Sequence, residues 1–464
     1  MKPAHLVRGI GRFDATALVV GSMIGSGIFI VSAESARVVG SPGWVLAAWV
    51  IAGTLTMIAA LSCAELAAML PKAGGQYVFF REAYGPLFGF LFGWTLFLVV
   101  QTGTIAAVAV AFARFLGVLV PAISSTNVLA TVGSVKVSAV QAMALVVILA
   151  LTASNATGLK TGTMTQNIFT VAKFAALLAL TIFGLALGGG PGVALKASDF
   201  LRAAAPSGEA LVGLALLSAL GTAMVGPLFS QSAWNNVTFA GEEIREPAKT
   251  LPFALLTGCL IVTGIYVLAN VAYLNVLPFS SVQHPAEDRL ATAVATSLFG
   301  PGAAAATAAA IMISTFGCVN GLILSGARVS FAMARDGHFF ASLARLNRAS
   351  VPGNALWAQG FWACLLVLSG TYSDLLKYVI SVDIAFFVLL VVAVIVLRTR
   401  RPDLPRPFRA PGYPVLPLTY AIAGVVLIAI LLKGNPRTTW PGYAFCLSGV
   451  PVYFFWRKGP RRAA

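Results

Sequence analysis

Long apolar segments recur along the whole chain, and they constrain its fold more than any other feature. Each is long enough for a helix to cross a hydrocarbon core that needs roughly 20 residues. They cover residues 14–38, 43–69, 85–119, 137–156, 163–187, 211–240, 252–277, 290–334, 354–371, 375–397, 414–432 and 439–456. With 58% hydrophobic and 10% charged residues, the composition is far from that of a soluble domain. We therefore predict an all-α integral membrane protein with twelve transmembrane helices, embedded in the lipid bilayer.

The distribution of basic residues predicts the orientation of these helices. The formal net charge is +16, and the Lys and Arg side chains concentrate in the connections that are cytoplasmic if the N-terminus starts inside. Because cytoplasmic loops carry an excess of Lys and Arg, we expect both termini on the cytoplasmic side of the cell membrane. In a membrane protein this charge does not indicate a nucleic-acid partner. The basic N-terminus lacks a convincing cleavage site, so we expect it to be retained.

Three charged features lie at the predicted cytoplasmic ends of spans. Glu65 is expected to reach a cytoplasmic partner or the interface, since an unpaired carboxylate in hydrocarbon is expensive. The loop 241–249 has mixed charge and is predicted to be a solvated surface. The richest basic stretch is broken by prolines and is predicted to be a solvated connector that needs no partner; its basic residues are Arg398, Arg400, Arg401, Arg406 and Arg409.

Glycine and serine are concentrated in the middle of the first span, at residues 21–29. We expect the helix to break at Gly25 to Gly27, which leaves backbone groups without helical partners at membrane depth, where they are costly. A half-helix that begins near Ser26 would direct its positive end at an anion, and the carbonyls ending the first half would accept from a cation. An α-amino acid carries both charges. Alternatively, Gly21 and Gly25 form only a packing face between helices.

The sixth span has the same kind of interruption. Gly221, Gly226 and Pro227 interrupt an apolar helix, and a polar run follows at residues 229–236. Two interrupted segments, each opening a block of five spans, predict an inverted-repeat transporter with its binding site at the midplane. The alternative is a kink satisfied by neighbouring helices, with Trp234 as an interface anchor.

Two of the ionisable residues inside predicted spans are candidates for a functional role. Lys173 either extends to the cytoplasmic interface or is a buried ammonium that replaces a bound cation near the first break. Asp383 lies nine residues into the tenth span and is a functional candidate, with a structural charge pair as the alternative. If Asp383 lines the substrate cavity, it either accepts a proton or anchors polar or cationic substrate side chains.

The sequence carries no pattern typical of an enzyme or of an ATP-driven pump. No phosphate-binding glycine loop, Ser/His/Asp arrangement or metal-ligand spacing stands out. The five cysteines lie in or beside apolar spans without a CxxC pair, so neither a disulfide framework nor a metal site is indicated. We therefore predict no cofactor, no metal and no enzymatic activity. A channel with a polar pore is the competing class, but neither rings of like charge nor filter-type loops are visible.

Eight stretches of the sequence together match a known family. They are residues 21–29, 40–43, 63–66, 74–77, 169–173, 234–235 with 242–243, 266–273 and 319–321. On these residues the chain resembles the amino acid–polyamine–organocation superfamily, and most closely the L-type amino acid transporters and their bacterial relatives. The stretches cover the first ten predicted spans.

The resemblance implies a LeuT-like fold in which helices 1 and 6 are broken. Residues 14–187 and 211–397 would form two inverted repeats of five spans each, and residues 414–456 would add two accessory helices. The cytoplasmic N-terminus, connector and C-terminus would be residues 1–13, 398–413 and 457–464.

The resemblance also implies where an amino acid would bind. In the family, the backbone of the first break holds the substrate carboxylate, and that backbone here belongs to Gly25, Ser26 and Gly27. The substrate ammonium faces carbonyls at both breaks, which here belong to Met23, Ile24, Phe229 and Ser232.

Three side chains complete the site that the resemblance implies. Phe229 matches the aromatic gate that closes over the substrate. Lys173 matches the fifth-span lysine of sodium-independent members, where it stands in for a coupling cation. Asp383 aligns with a pocket-facing polar position of the tenth span.

The chain departs from the family pattern at two places. The family often has glycine just before the sixth-span tryptophan, where this chain has residues 230–233 (SQSA), which leaves the side-chain preference open. The external loop 121–136 lacks the cysteine that joins animal members to a heavy chain, so we expect no disulfide-linked heavy-chain subunit. We expect a sodium-independent exchanger of neutral L-amino acids that works by alternating access. The alternatives are a proton-coupled symporter and a carrier of cationic amino acids or polyamines.

Overall fold

The computed structural model describes residues 6–132, 135–369, 372–434 and 436–458, so part of each predicted terminal segment lies outside the described residues. The chain is helical almost throughout. Its helices are α1 (Arg12–Met23), α2 (Gly27–Val39), α3 (Pro42–Met69), α4 (Gln76–Tyr84), α5 (Pro86–Leu119), α6 (Ala139–Ala156), α7 (Leu159–Leu187), α8 (Gly213–Ser230), α9 (Asn236–Phe239), α10 (Pro247–Val276), α11 (Phe279–Gln283), α12 (Leu290–Phe299), α13 (Ala303–Arg335), α14 (Gly353–Ser369), α15 (Tyr372–Arg400), α16 (Val415–Gly434) and α17 (Pro436–Lys458). Strands β1 (Val128–Val132) and β2 (Val135–Ser138) form an antiparallel hairpin between α5 and α6.

Helices occupy all twelve predicted apolar segments. Within the described residues, nine helices are long and apolar enough to cross a membrane, and the pair α1 and α2, bent by 40°, makes a tenth span. The other two segments hold α14, which has 17 residues, and α17, which contains Pro441 and Pro451 and is less apolar. The composition therefore predicted the helical content correctly, and the protein is a multi-pass helical membrane protein.

The central helices pack in matching pairs. α3 lies along α10, and α5 lies along α13; these are the second and third spans of the two five-span blocks. Glycines allow the close approach, because a Cβ added to Gly53 would meet the side chain of Thr263 and one added to Gly93 would meet Met333. Each block thus packs against its counterpart, as expected for two repeats related by a pseudo-two-fold axis.

Glu65 is held by basic side chains from the last turn of α15 and from the connector that follows it. The Arg398 guanidinium donates to both Glu65 carboxylate oxygens at 2.8 and 2.6 Å, and Ala410 N donates at 2.7 Å. Arg406 adds an ion pair at 3.6 Å. The predicted partner for Glu65 is confirmed, whereas the prediction that this connector needs no partner is wrong for Arg398 and Arg406. A contact across more than 300 residues of sequence leaves no local pattern from which to predict it.

The loop between α9 and α10 also carries a buried charge. Arg328 of α13 donates to both carboxylate oxygens of Glu243 at 2.8 and 2.9 Å, and both side chains are almost fully buried. The N-terminal segment covers this pair, because Gly9 N and Ile10 N each donate to Glu243 O at 3.0 Å. The prediction of a solvated loop is therefore wrong at Glu243, which anchors the predicted cytoplasmic end of the sixth span.

Candidate functional site

The first span unwinds at residues 24–26. α1 ends at Met23, Ile24 is extended (φ −75°, ψ 92°), and α2 begins at Gly27 with Ser26 as its N-cap. The break, predicted at Gly25 to Gly27, lies one residue earlier at both ends. Because the first N–H groups of a helix have no partner within it, the N-terminal end of α2 presents donors and a positive dipole at membrane depth.

Side chains from three other helices satisfy the carbonyls freed by this break. Tyr266 of α10 donates to Met23 O at 3.0 Å. Ser314 of α13 donates to Ile24 O at 3.3 Å and to Gly25 O at 3.2 Å. Because Lys173 also donates to Ile24 O, both lone pairs of that carbonyl are occupied. Met23 O accepts one of these bonds and keeps capacity for a second donor.

Lys173 lies at the middle of α7 and is fully buried. Its ammonium donates to Gly21 O, to Ile24 O at 2.7 Å and to Ser314 O at 3.4 Å. The side chain therefore points to the first break and away from the interface. It joins α7 to both α1 and α13 through charge-assisted hydrogen bonds to backbone oxygens. A small cation bound here would be coordinated by the same oxygens.

The sixth span unwinds later than the sequence suggested. α8 continues to Ser230 with only a turn at Met224, and the irregular stretch is residues 231–235. Pro227 is tolerated because it falls in the first turn after Met224. Pro227 has no N–H that could donate to the Ala223 carbonyl one turn earlier. That carbonyl accepts a hydrogen bond from Ser35 Oγ at 2.8 Å instead. The expected interruption at Gly221, Gly226 and Pro227 is thus a kink, and α2 stabilises it.

The two breaks lie against each other. A Cβ added to Gly27 would lie 2.8 Å from Ser230 Cβ and 3.2 Å from Ser230 Cα, so the start of α2 contacts the end of α8 directly. At the second break, Ser232 donates to Phe229 O through both N, at 3.0 Å, and Oγ, at 2.7 Å. The helix ends that the sequence predicted to form a site are therefore adjacent.

A cavity of about 820 Å³ opens on the side predicted to be external. Phe229 and Ile380 lie at its inner end, and Phe229 is only 8% exposed. Its wall carries five charged side chains, which are Glu34, Arg37, Arg114, Asp288 and Arg289. Arg37 pairs with Asp288 at 2.8 Å and ties α2 to the loop before α12. We call this cavity the vestibule; Phe229 separates it from the two breaks.

Asp383 does not line the vestibule. Its side chain is partly buried and lines a second, much smaller cavity of about 20 Å³ on the other side of Phe229. Its polar lining also includes Thr56, Gln231, Ser232 and Tyr420. The sequence indicated an inward-facing carboxylate, but it did not indicate that α16, an accessory helix, contributes Tyr420 to the same space.

Sequence comparison decides the family. The model of the family described as amino acid permease matches residues 10–452, which is nearly the whole chain. The chain belongs to the amino acid permease family. Membership carries with it the LeuT-like arrangement of two inverted five-span repeats, in which α1–α2 and α8–α9 are the broken spans.

Individual relatives of this permease are amino acid transporters. It is 31% identical over 462 residues to the human large neutral amino acids transporter small subunit 2, covering 98% of this chain and 82% of the relative. It is 28% identical over 456 residues to the serine/threonine exchanger SteT of Bacillus subtilis, covering 98% of both chains. It is also 28% identical over 463 residues to the mouse b(0,+)-type amino acid transporter 1, covering 98% and 89%.

Several residues that shape the site of this permease were not singled out from the sequence as site residues. Tyr266, Ser314 and Cys318 each donate to a backbone carbonyl between Ser22 and Gly25. A buried polar residue inside an apolar span was the available signal, but the partner it contacts could not be read from spacing.

Proposed function

We propose that this permease is a secondary carrier that exchanges neutral L-amino acids across the cell membrane by alternating access, without sodium, ATP or a cofactor. The observation that carries the proposal is the contact between the two helix breaks at Gly27 and Ser230. Two half-helix ends meet there at membrane depth, below a vestibule that Phe229 closes. An α-amino acid has the two opposite charges that such ends recognise.

The substrate carboxylate binds the N-terminal end of α2, through the backbone N–H groups of Gly25, Ser26 and Gly27. The ammonium faces the backbone carbonyls at the breaks. Met23 O is the best placed of these, since it accepts only from Tyr266, whereas Ile24 O and Phe229 O each already accept two hydrogen bonds. Ser232 belongs to the same set at the second break.

Phe229 is the outer gate, and Lys173 replaces a coupling cation. The structure has an open vestibule on one side and a closed contact between Glu243, Arg328 and the N-terminal segment on the other. This asymmetry supports alternating access, with the vestibule facing outside and both termini in the cytoplasm. The Lys173 ammonium donates to the carbonyls of Gly21 and Ile24, so binding of sodium there would require displacing it.

Two properties of relatives support the assignment of substrate and mode. The human relative is named for large neutral amino acids and the Bacillus relative is named an exchanger. The human relative is also named a small subunit. The loop 121–136 here has no cysteine, so we propose that the permease works without a disulfide-linked heavy chain.

Counterflow in proteoliposomes tests the proposal. Vesicles preloaded with an unlabelled neutral amino acid should accumulate the labelled one transiently and saturably, at the same rate in sodium and in choline. A preloaded vesicle that shows only linear, unsaturable entry would indicate a channel. If a pH gradient drives uphill uptake, the mechanism is proton symport and not exchange.

A further inference from the structure

The small cavity around Asp383 is built from four different parts of the fold. Thr56 comes from α3, Ser232 from the second break, Asp383 from α15 and Tyr420 from the accessory helix α16. Thr56 and Tyr420 are each 5% exposed. We call this cavity the polar compartment.

One polar side chain of the lining, Gln231, is already engaged, because its amide nitrogen donates to Trp49 O at 3.4 Å and its Oε1 accepts from Thr263 Oγ1 at 3.0 Å. Within the described residues, no hydrogen bond reaches the Thr56 hydroxyl, the Tyr420 hydroxyl or the Asp383 carboxylate. Ser232 Oγ uses its proton on Phe229 O and so offers only lone pairs. The Thr56, Asp383 and Tyr420 side chains thus face one small space. The compartment is therefore suited to a group that donates hydrogen bonds.

The size of the compartment limits what this group can be. Its volume of about 20 Å³ corresponds to one water-sized group, because a cavity must hold about 10–15 Å³ of this measure to admit a single water. A single hydroxyl fits. A branched aliphatic side chain would fill the space without supplying a donor, which leaves the carboxylate unpaired.

The compartment is one side chain away from the route of the substrate. Phe229 and Ile380 line both the polar compartment and the vestibule. Ser232 and Phe229 also belong to the second break, where the substrate ammonium is placed. The Phe229 ring therefore lies between the vestibule and the polar compartment.

We propose that the polar compartment is the subsite for the substrate side chain, and that it selects small hydroxyl-bearing amino acids, of the serine and threonine type, over apolar ones of the same shape. This inference rests on the proposed function. Asp383 accepts from the substrate hydroxyl, and Thr56 and Tyr420 complete the hydrogen bonds around it. The accessory helix α16 thereby takes part in specificity.

Competition between threonine and valine tests the proposal, because threonine has a hydroxyl group at the position where valine has a methyl group. Counterflow is measured with the full chain in proteoliposomes, and the half-saturation concentration is compared for the two substrates. Wild type should prefer threonine by at least about tenfold, because the Asp383 carboxylate rejects a substrate that cannot donate. Asp383→Asn and Tyr420→Phe should each lower this ratio at least about threefold.

A matched pair of threonines supplies the control. Thr56→Val should lower the threonine-to-valine ratio, whereas Thr54→Val should leave it unchanged. Thr54 lies two residues away on the exposed side of α3 and bonds its own helix at Val50 O. Because Tyr420→Phe removes only one hydroxyl, it provides a folded variant even if Asp383→Asn is not recovered.

The possible results separate the two proposals. If wild type shows no counterflow of any amino acid, the proposed function fails. If counterflow is normal but valine competes as well as threonine, the subsite is wrong while the function stands. If Asp383→Asn abolishes uptake driven by a pH gradient and keeps the threonine-to-valine ratio, Asp383 is a proton acceptor and the subsite is likewise overturned.

Discussion

Gly27 and Ser230 bring the two broken spans into direct contact. The first residue of α2 lies against the last residue of α8, and a Cβ added to Gly27 would approach Ser230 Cβ to 2.8 Å. No side chain separates the helix ends, so their backbone groups can act on one small ligand. Any added bulk at Gly27 must push the breaks apart.

Replacing Gly27 by valine should therefore abolish binding of every substrate alike. The extra atoms force a shift against Ser230, and overpacking of this kind costs about 1–3 kcal/mol. Counterflow of several amino acids by Gly27→Val measures the loss. Gly264→Val is the matched control, because a Cβ at Gly264 meets nothing within 4 Å. Normal transport by Gly27→Val would show that the site lies elsewhere.

Removing the Phe229 ring should slow transport more than it weakens binding. The ring closes the inner end of the vestibule, and gating steps often limit turnover. For Phe229→Ala we expect the counterflow rate to fall about tenfold while the equilibrium dissociation constant changes less than about threefold. Phe361→Ala, at a position 63% exposed on α14, controls for loss of an aromatic ring. A variant that loses affinity with unchanged turnover would make Phe229 a wall of the pocket.

The buried ammonium of Lys173 should make transport independent of sodium. It already donates to the carbonyls of Gly21 and Ile24, and a second cation there would be repelled. Uptake by wild type should be the same in sodium and in choline, and a steep sodium dependence would refute the assignment. Lys173→Ala should lower transport at least about tenfold, since it leaves buried carbonyls without a donor. Lys160→Ala, at an exposed position of α7, should have no effect.

Breaking the ion pair between Arg328 and Glu243 should destabilise the protein strongly. Arg328→Met leaves a buried carboxylate unpaired, for which the expected cost is about 3–5 kcal/mol. Thermal unfolding of the purified protein measures it, and combining Arg328→Met with Glu243→Gln should recover at least half of the loss. For comparison, Lys249→Met removes an exposed pair with Glu246 and should cost less than about 1 kcal/mol. Equal effects of the two substitutions would contradict the structural role of the buried pair.

Periodicity and composition were sufficient to predict the helices and the existence of two broken spans. Apolar length is a local property, so each predicted segment corresponds to a helix. Glycine and serine at residues 21–29 also act locally, and the first break was placed within one residue. The second break lies within the predicted polar run at residues 229–236. Pro227 was also expected to interrupt the helix, but Ser35, from another span, supplies the missing donor to the Ala223 carbonyl.

The sequence by itself indicated which polar features lie inside apolar spans: the break at Gly25 to Gly27, Lys173 and Asp383. Only the tertiary structure decided what each of them faces. Lys173 bonds the first break, Asp383 shares a compartment with Tyr420 of an accessory helix, and Arg398 and Arg406 hold Glu65. The physical reason is that a buried polar group is stable only with a partner, and the packing supplies that partner from tens to hundreds of residues away in the chain.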